Sequence, residues 1–227
     1  MTQQEINDLI SKAQQGDAEA QFELGKVYHF GKGVKKNISK SITLFKLASE
    51  QGHCQAQSLL GMCYQLGIGV EENETEAFKL FKLSAEQGDV HGQYCLGICY
   101  EFGAGIEKNL TEAIRLYELS AEQGDDEAQF MLGVHFYHGE GVKKNLTKAF
   151  KLYQKAAEQG HTRAQLCLGG CYFNGDGVEK DYTEAVKWFR LAAKQGNKKA
   201  KAILKKMEMS KNSDEELQIK QQQHNKG

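Results

Sequence analysis

The chain contains no long apolar run and no surplus of charge of either sign, and each absence removes a class of function. Nothing approaches 18 consecutive apolar residues, so no segment is expected to cross a membrane. Lys plus Arg number 29 and Asp plus Glu 30, a formal net charge of −1 over 227 residues. That balance gives no electrostatic case for nucleic acid or an anionic membrane as the main partner. The opening MTQQEINDLI lacks the basic start and apolar core of an export leader, which makes the cytoplasm the expected location. There is no G-x-x-x-x-G-K-[ST] phosphate cradle and no Ser-His-Asp order.

What is present is repetition. From Asp17 the chain repeats every 36 residues, five times, without insertion or deletion, over 17–52, 53–88, 89–124, 125–160 and 161–196. The units end on SEQG, on AEQG three times, and on AKQG. A period of this length points to a stacked solenoid rather than a globule with one central core. The expected fold is therefore all-α.

Each unit reads as two helices around a glycine-marked loop. The first carries Ala20, Leu24 and Tyr28 at spacing four, repeated as Ala56, Leu60, Tyr64 and onward, which makes one apolar face. A glycine follows each of those leucines (Gly25, Gly61, Gly97, Gly133, Gly169). Helical glycine costs about 1 kcal/mol relative to alanine, so five of them imply close approach of a neighbouring helix. The loop is G-x-G followed by Val or Ile, suited to positive φ after a helix end. The second helix is expected to start after the N-caps Asn37, Asn73, Asn109, Asn145 and Asp181. Glu76, Glu112 and Glu184 complete the outline of a capping box. Four of these caps are also N-x-[ST] sequons, but glycosylation needs export, and capping explains them without it.

The ends read as half-units. Residues 1–16 hold a lone second helix, residues 197–209 a lone first helix whose lysines face water, and 210–227 a polar, aperiodic tail expected to be disordered. The six cysteines sit in first helices. Cys63, Cys99 and Cys171 share one repeat position, Cys95 and Cys167 another, and Cys54 opens a helix. Pairs at i, i+4 are badly placed for a disulfide, so free thiols used as small apolar groups are expected.

The pattern A-x-x-x-L-G-x-x-Y-x-x-G-x-G-V, then N/D-x-x-x-A-x-x-[LW]-[FY]-x-x-A-A-x-Q-G, strongly resembles the Sel-one-like repeat family, tetratricopeptide-like α-solenoids, across residues 6–204. The resemblance implies a right-handed α/α superhelix that acts as a protein-interaction scaffold or adaptor. One branch of that family is described as β-lactamase-like and carries paired cysteines linking second helices to the next unit. This chain has no cysteine in any second helix and no S-x-x-K. The expectation is a monomeric, non-enzymatic protein with no cofactor, no metal and no catalytic residue, binding a protein or peptide. The alternatives are a secreted effector using the same groove on a host protein, or a Cys- and His-dependent metal-binding or hydrolytic protein.

Opposite the recurring face of the first helices lies a stripe that varies from unit to unit yet stays rich in aromatics. The resemblance implies that it lines the concave groove. The candidate partner-binding residues are Phe22, Lys26, His29 and Phe30 in the first unit and Met62 and Leu66 in the second. Tyr94, Ile98, Glu101 and Phe102 follow in the third, Phe130, Tyr137 and His138 in the fourth, and Phe173 in the fifth.

Overall fold

The computed structural model describes residues 2–209, and the expected tail at 210–227 lies outside them. They form twelve helices with no strand among the described residues. In order these are α1 (Gln3–Gln14), α2 (Ala18–Phe30), α3 (Ile38–Glu50), α4 (Cys54–Leu66), α5 (Glu74–Glu86), α6 (Val90–Phe102), α7 (Leu110–Glu122), α8 (Asp126–His138), α9 (Leu146–Glu158), α10 (Thr162–Asn174), α11 (Tyr182–Lys194) and α12 (198–209). The molecule is an all-α solenoid that resolves into two compact units, Met1–Ala128 and Gln129–Gly227.

In the first unit each first helix packs on its own second helix, as α2 on α3, α4 on α5 and α6 on α7. Second helices in turn pack on the following first helix, and α1 takes that role against α2. In the second unit α10 sits between α9 and α11.

The recurring glycines answer to this packing. An added Cβ on Gly25 would lie 2.6 Å from the Phe45 ring, and on Gly61, Gly97, Gly133 and Gly169 within 2.7 Å of Phe81, Tyr117, Tyr153 and Phe189. The aromatic of each second helix thus packs closely against the backbone of its own first helix. Where that aromatic is Tyr117, its fully buried hydroxyl donates to Glu101 Oε2 at 2.6 Å. The loop glycines adopt positive φ, as at Gly31 (70°) and Gly33 (79°). The second loop glycine has a packing reason as well: a Cβ on Gly105 would overlap the Glu74 carbonyl at the start of α5.

The N-caps behave as expected, each side chain accepting from a backbone N–H of the first turn, as Asn37 does from Lys40. The capping box does not. Glu76, Glu112 and Glu184 turn forward to Lys79, Arg115 and Lys187 instead, because a base three residues on offers a charged partner on the same face. The reciprocal box is closed at Thr2 and Glu5, at the start of α1.

Two polar features of the frame went unread in the sequence. First helices have caps of their own, at Asp17, His53, Asp89, Asp125 and His161. A glutamine pair also clips the end of each second helix to the first helix of the same repeat. Gln51 donates through Nε2 to buried Gln21 at 2.8 Å, and the same bond joins Gln87 to Gln57, Gln123 to Gln93, Gln159 to Gln129 and Gln195 to Gln165. Leaving such a buried amide unpaired costs roughly 1–3 kcal/mol, which explains why both glutamines recur.

Candidate functional site

The first-helix stripe is not uniform, and burial divides it. Phe22 and Phe130 are 4% and 3% exposed and belong to the core. The Phe22 ring lies 4.5 Å from the imidazole of His53, and the Phe130 ring 4.7 Å from that of His161, with the Arg163 guanidinium 4.4 Å away. A helical wheel gives the angle of a side chain. It cannot show that the cap residue of the next repeat covers the ring. These two positions are therefore corrected from groove to packing.

Further toward the helix C-termini the stripe reaches solvent. Phe30, Leu66 and Phe102 occupy the same position in three consecutive repeats and are 59%, 60% and 67% exposed. Met62, one turn earlier, is also exposed. A hollow of about 570 Å³ runs among Phe22, Lys26, Phe30, Met62 and Tyr94, closed at one side by Asp125, Asp126 and Glu127. A crevice of about 70 Å³ separates Phe30 from Leu66. The Lys26 ammonium sits over Phe22 at 4.7 Å and bonds to Glu23. The Tyr94 hydroxyl donates to Glu127 at 3.5 Å.

The remaining expected residues are mixed in character. His29 is half-buried, its Nδ1 3.5 Å from Ser41 Oγ, and burial together with nearby Lys36 pushes its pKa down. Ile98 is half-buried. Glu101 holds the Tyr117 hydroxyl, so its carboxylate serves the core even though it borders the face. In the second unit Tyr137 donates to Asp176 at 2.9 Å, His138 is exposed beside it, and Phe173 is 39% exposed with its edge toward Tyr182. Tyr137, His138 and Phe173 border a separate hollow of about 470 Å³. Glu127 of the acidic rim at 125–127, and Gly170 in that second hollow, fall on the varying stripe but were not among the candidate residues. Their signal is the departure of one repeat from the others.

All six cysteines are free. Burial pushes the Cys63, Cys99 and Cys167 thiols up to about 11 and those of Cys95 and Cys171 to about 12, which keeps them protonated at neutral pH. Among the described residues no group of three or more His, Cys, Asp or Glu side chains is arranged to hold a metal ion, and no helix is long and apolar enough to cross a membrane.

Comparison with known proteins agrees with this geometry. The Sel1 repeat family model matches residues 18–53, 54–89, 90–125, 126–161 and 162–197. A protective antigen of uropathogenic Escherichia coli displaying an SLR fold is 35% identical with a TM-score of 0.77, over 85% of this chain and 41% of its own. A Sel1 repeat protein from Oxalobacter formigenes is 31% identical with a TM-score of 0.82, over 89% of this chain and 58% of its own. The chain thus spans less than two thirds of the length of either relative. No curated protein matches it. Proteins built of these repeats are generally protein-interaction scaffolds, typically without catalysis. With five matched repeats covering most of its length, the chain belongs to the Sel1 repeat family.

Proposed function

We propose that the protein is a scaffold that holds a peptide or protein segment along the first-helix face of its first unit. The observation that carries this reading is the row Phe30, Leu66 and Phe102, one large apolar side chain left in solvent by each of three consecutive repeats. A stacking rule would bury that position and a purely solvated face would fill it with polar residues. Neither occurs. Met62, Tyr94 and the hollow beside them extend the row into a surface with both apolar and polar ground. Interfaces of this kind draw most of their energy from a few central aromatics.

Phe102, in the third repeat, is the most exposed of the row. Replacing it with Glu removes about 1.5–3 kcal/mol of apolar burial, or roughly tenfold or more in affinity. Tyr100, two residues away, is half-buried with its ring edge-on to Phe78 at 5.6 Å. Partners recovered by affinity capture and identified by mass spectrometry are to be titrated directly against wild type, Phe102→Glu and Tyr100→Glu, with melting temperatures alongside. The expected result is lost binding with unchanged melting for Phe102→Glu and early melting for Tyr100→Glu. If Phe102→Glu melts as early as Tyr100→Glu, or binds as wild type does, the face is misassigned.

A further inference from the structure

Gly170 is unlike the other helical glycines. Its neighbour Gly169 lies beneath the Phe189 ring, but a Cβ on Gly170 would meet nothing within 4 Å, and its φ is not positive. Neither backbone conformation nor packing asks for glycine there, and glycine is the poorest helix former after proline. At the same position the other repeats carry Lys26, Met62, Ile98 and Val134. The missing side chain leaves the hollow of about 470 Å³, with Val134 and His138 of α8 on one side, Leu166 and Cys167 of α10 beneath, and Lys199 and Ile203 of α12 on the other. Its volume falls within the range of small-ligand sites.

The unit that holds this hollow carries a one-sided charge. Residues 129–209 contain fifteen lysines and arginines against seven aspartates and glutamates, a formal balance of +8. Residues 1–128 contain eleven against twenty, a balance of −9, so the near-zero total hides two opposite halves. Lys199 lines the hollow and acts electrostatically on the Cys167 sulfur, as does Arg163, whose guanidinium lies over the Phe130 ring. The one carboxylate lining the hollow, Asp176, is already engaged by the Tyr137 hydroxyl at 2.9 Å and the Asn174 amide at 3.1 Å. Lys199 is the one lysine or arginine in the lining.

We propose that this hollow seats one large apolar side chain of an acidic peptide segment, with Gly170 as the residue that opens it and Lys199 as the group that meets a flanking carboxylate. The neutral thiols of Cys167 and Cys171 suit an apolar occupant. Opposite charge steers the approach and sets the register, while the apolar insertion fixes the complex. The proposal rests on the reading that first helices carry the partner face, but it places a second, differently charged site on the second unit.

The test is fluorescence anisotropy with the full chain and four labelled probes. The first is a short peptide of Asp, Glu, Gly and Ser carrying one Phe. The second has Ala for that Phe, the third has Lys for the acidic residues, and the fourth is a single-stranded oligothymidylate. The acidic Phe peptide is expected to bind tightest and to weaken with added salt. Replacing its Phe with Ala, or introducing Gly170→Met in the protein, is expected to cost about tenfold in affinity. Lys199→Glu is expected to weaken it as well, and Gly170→Met to melt no earlier than wild type. No binding, equal binding of the Ala or Lys probe, tighter binding of the oligonucleotide, or an unchanged affinity for Gly170→Met each overturns the proposal. So does early melting of Gly170→Met, which would mean the space is not vacant. Phe102→Glu is expected to leave this titration unchanged. If it weakens the acidic probe instead, the peptide lies on the first unit, and the proposal fails while the first-unit reading stands.

Discussion

Two glycines of the same chain, Gly97 and Gly170, make opposite demands on a methyl group. At Gly97 a Cβ would sit 2.6 Å from the Tyr117 ring, whose hydroxyl is tied to Glu101 and cannot swing aside freely. At Gly170 the same atom enters open space. Gly97→Ala is therefore expected to lose about 1–3 kcal/mol through overpacking. Gly170→Ala is expected to gain about 0.4–1 kcal/mol by restricting the unfolded chain. Urea denaturation of the two variants side by side checks this. Equal shifts of the same sign would mean that the ring contact does not set the glycine requirement.

Single helices here are 12 or 13 residues long, marginal on their own, so each depends on its neighbours. The terminal helices have a neighbour on one side alone. In α12, Asn197 caps the first turn by accepting from the Ala200 N–H, and its own N–H donates to the Ala192 carbonyl. Ala192 and Ala200 are both fully buried. Deleting 197–227 uncovers the end of α10 and α11 at roughly 25 cal/mol per Å² of apolar surface. A loss of 2–3 kcal/mol would lower the melting temperature by several degrees for a chain of this size. Deleting 210–227 is the control and is expected to leave melting unchanged. If both truncations melt alike, α12 is not a cap.

At the scale of the whole molecule the charge matters more than its sum. A net charge of −1 predicts weak retention on either kind of ion exchanger, whereas balances of −9 and +8 on the two units predict retention on both. Binding to cation and anion resins at pH 7 and low salt checks this. Release is expected as ionic strength approaches about 0.1 M, where the Debye length falls to about 10 Å. Failure to bind the cation resin would show that the excess basic side chains of 129–209 do not form an accessible basic face. The two candidate sites lie on these oppositely charged units, a hollow lined by Asp125, Asp126 and Glu127 beside Met62 and Tyr94, and one lined by Lys199 and Asp176 at Gly170.

The helices, their second-helix caps, the loop glycines and the need for close approach of a neighbouring helix at Gly25 and its equivalents were legible in the sequence, because each is local or repeats every 36 residues. Identity of position in a repeat is a physical constraint that a linear text can carry. The glutamine pair and the aromatic that covers each glycine are just as periodic, yet their partners lie on different helices, so pairing them required coordinates. Phe22 and Phe130 separate the two kinds of knowledge most clearly. Sequence places them on the varying stripe with Phe30 and Phe102, and the angle is right. Only the tertiary structure shows His53 and His161 lying over the first pair while the second pair stands in water. Burial is a property of what comes to rest above a side chain, and a helical period does not encode it.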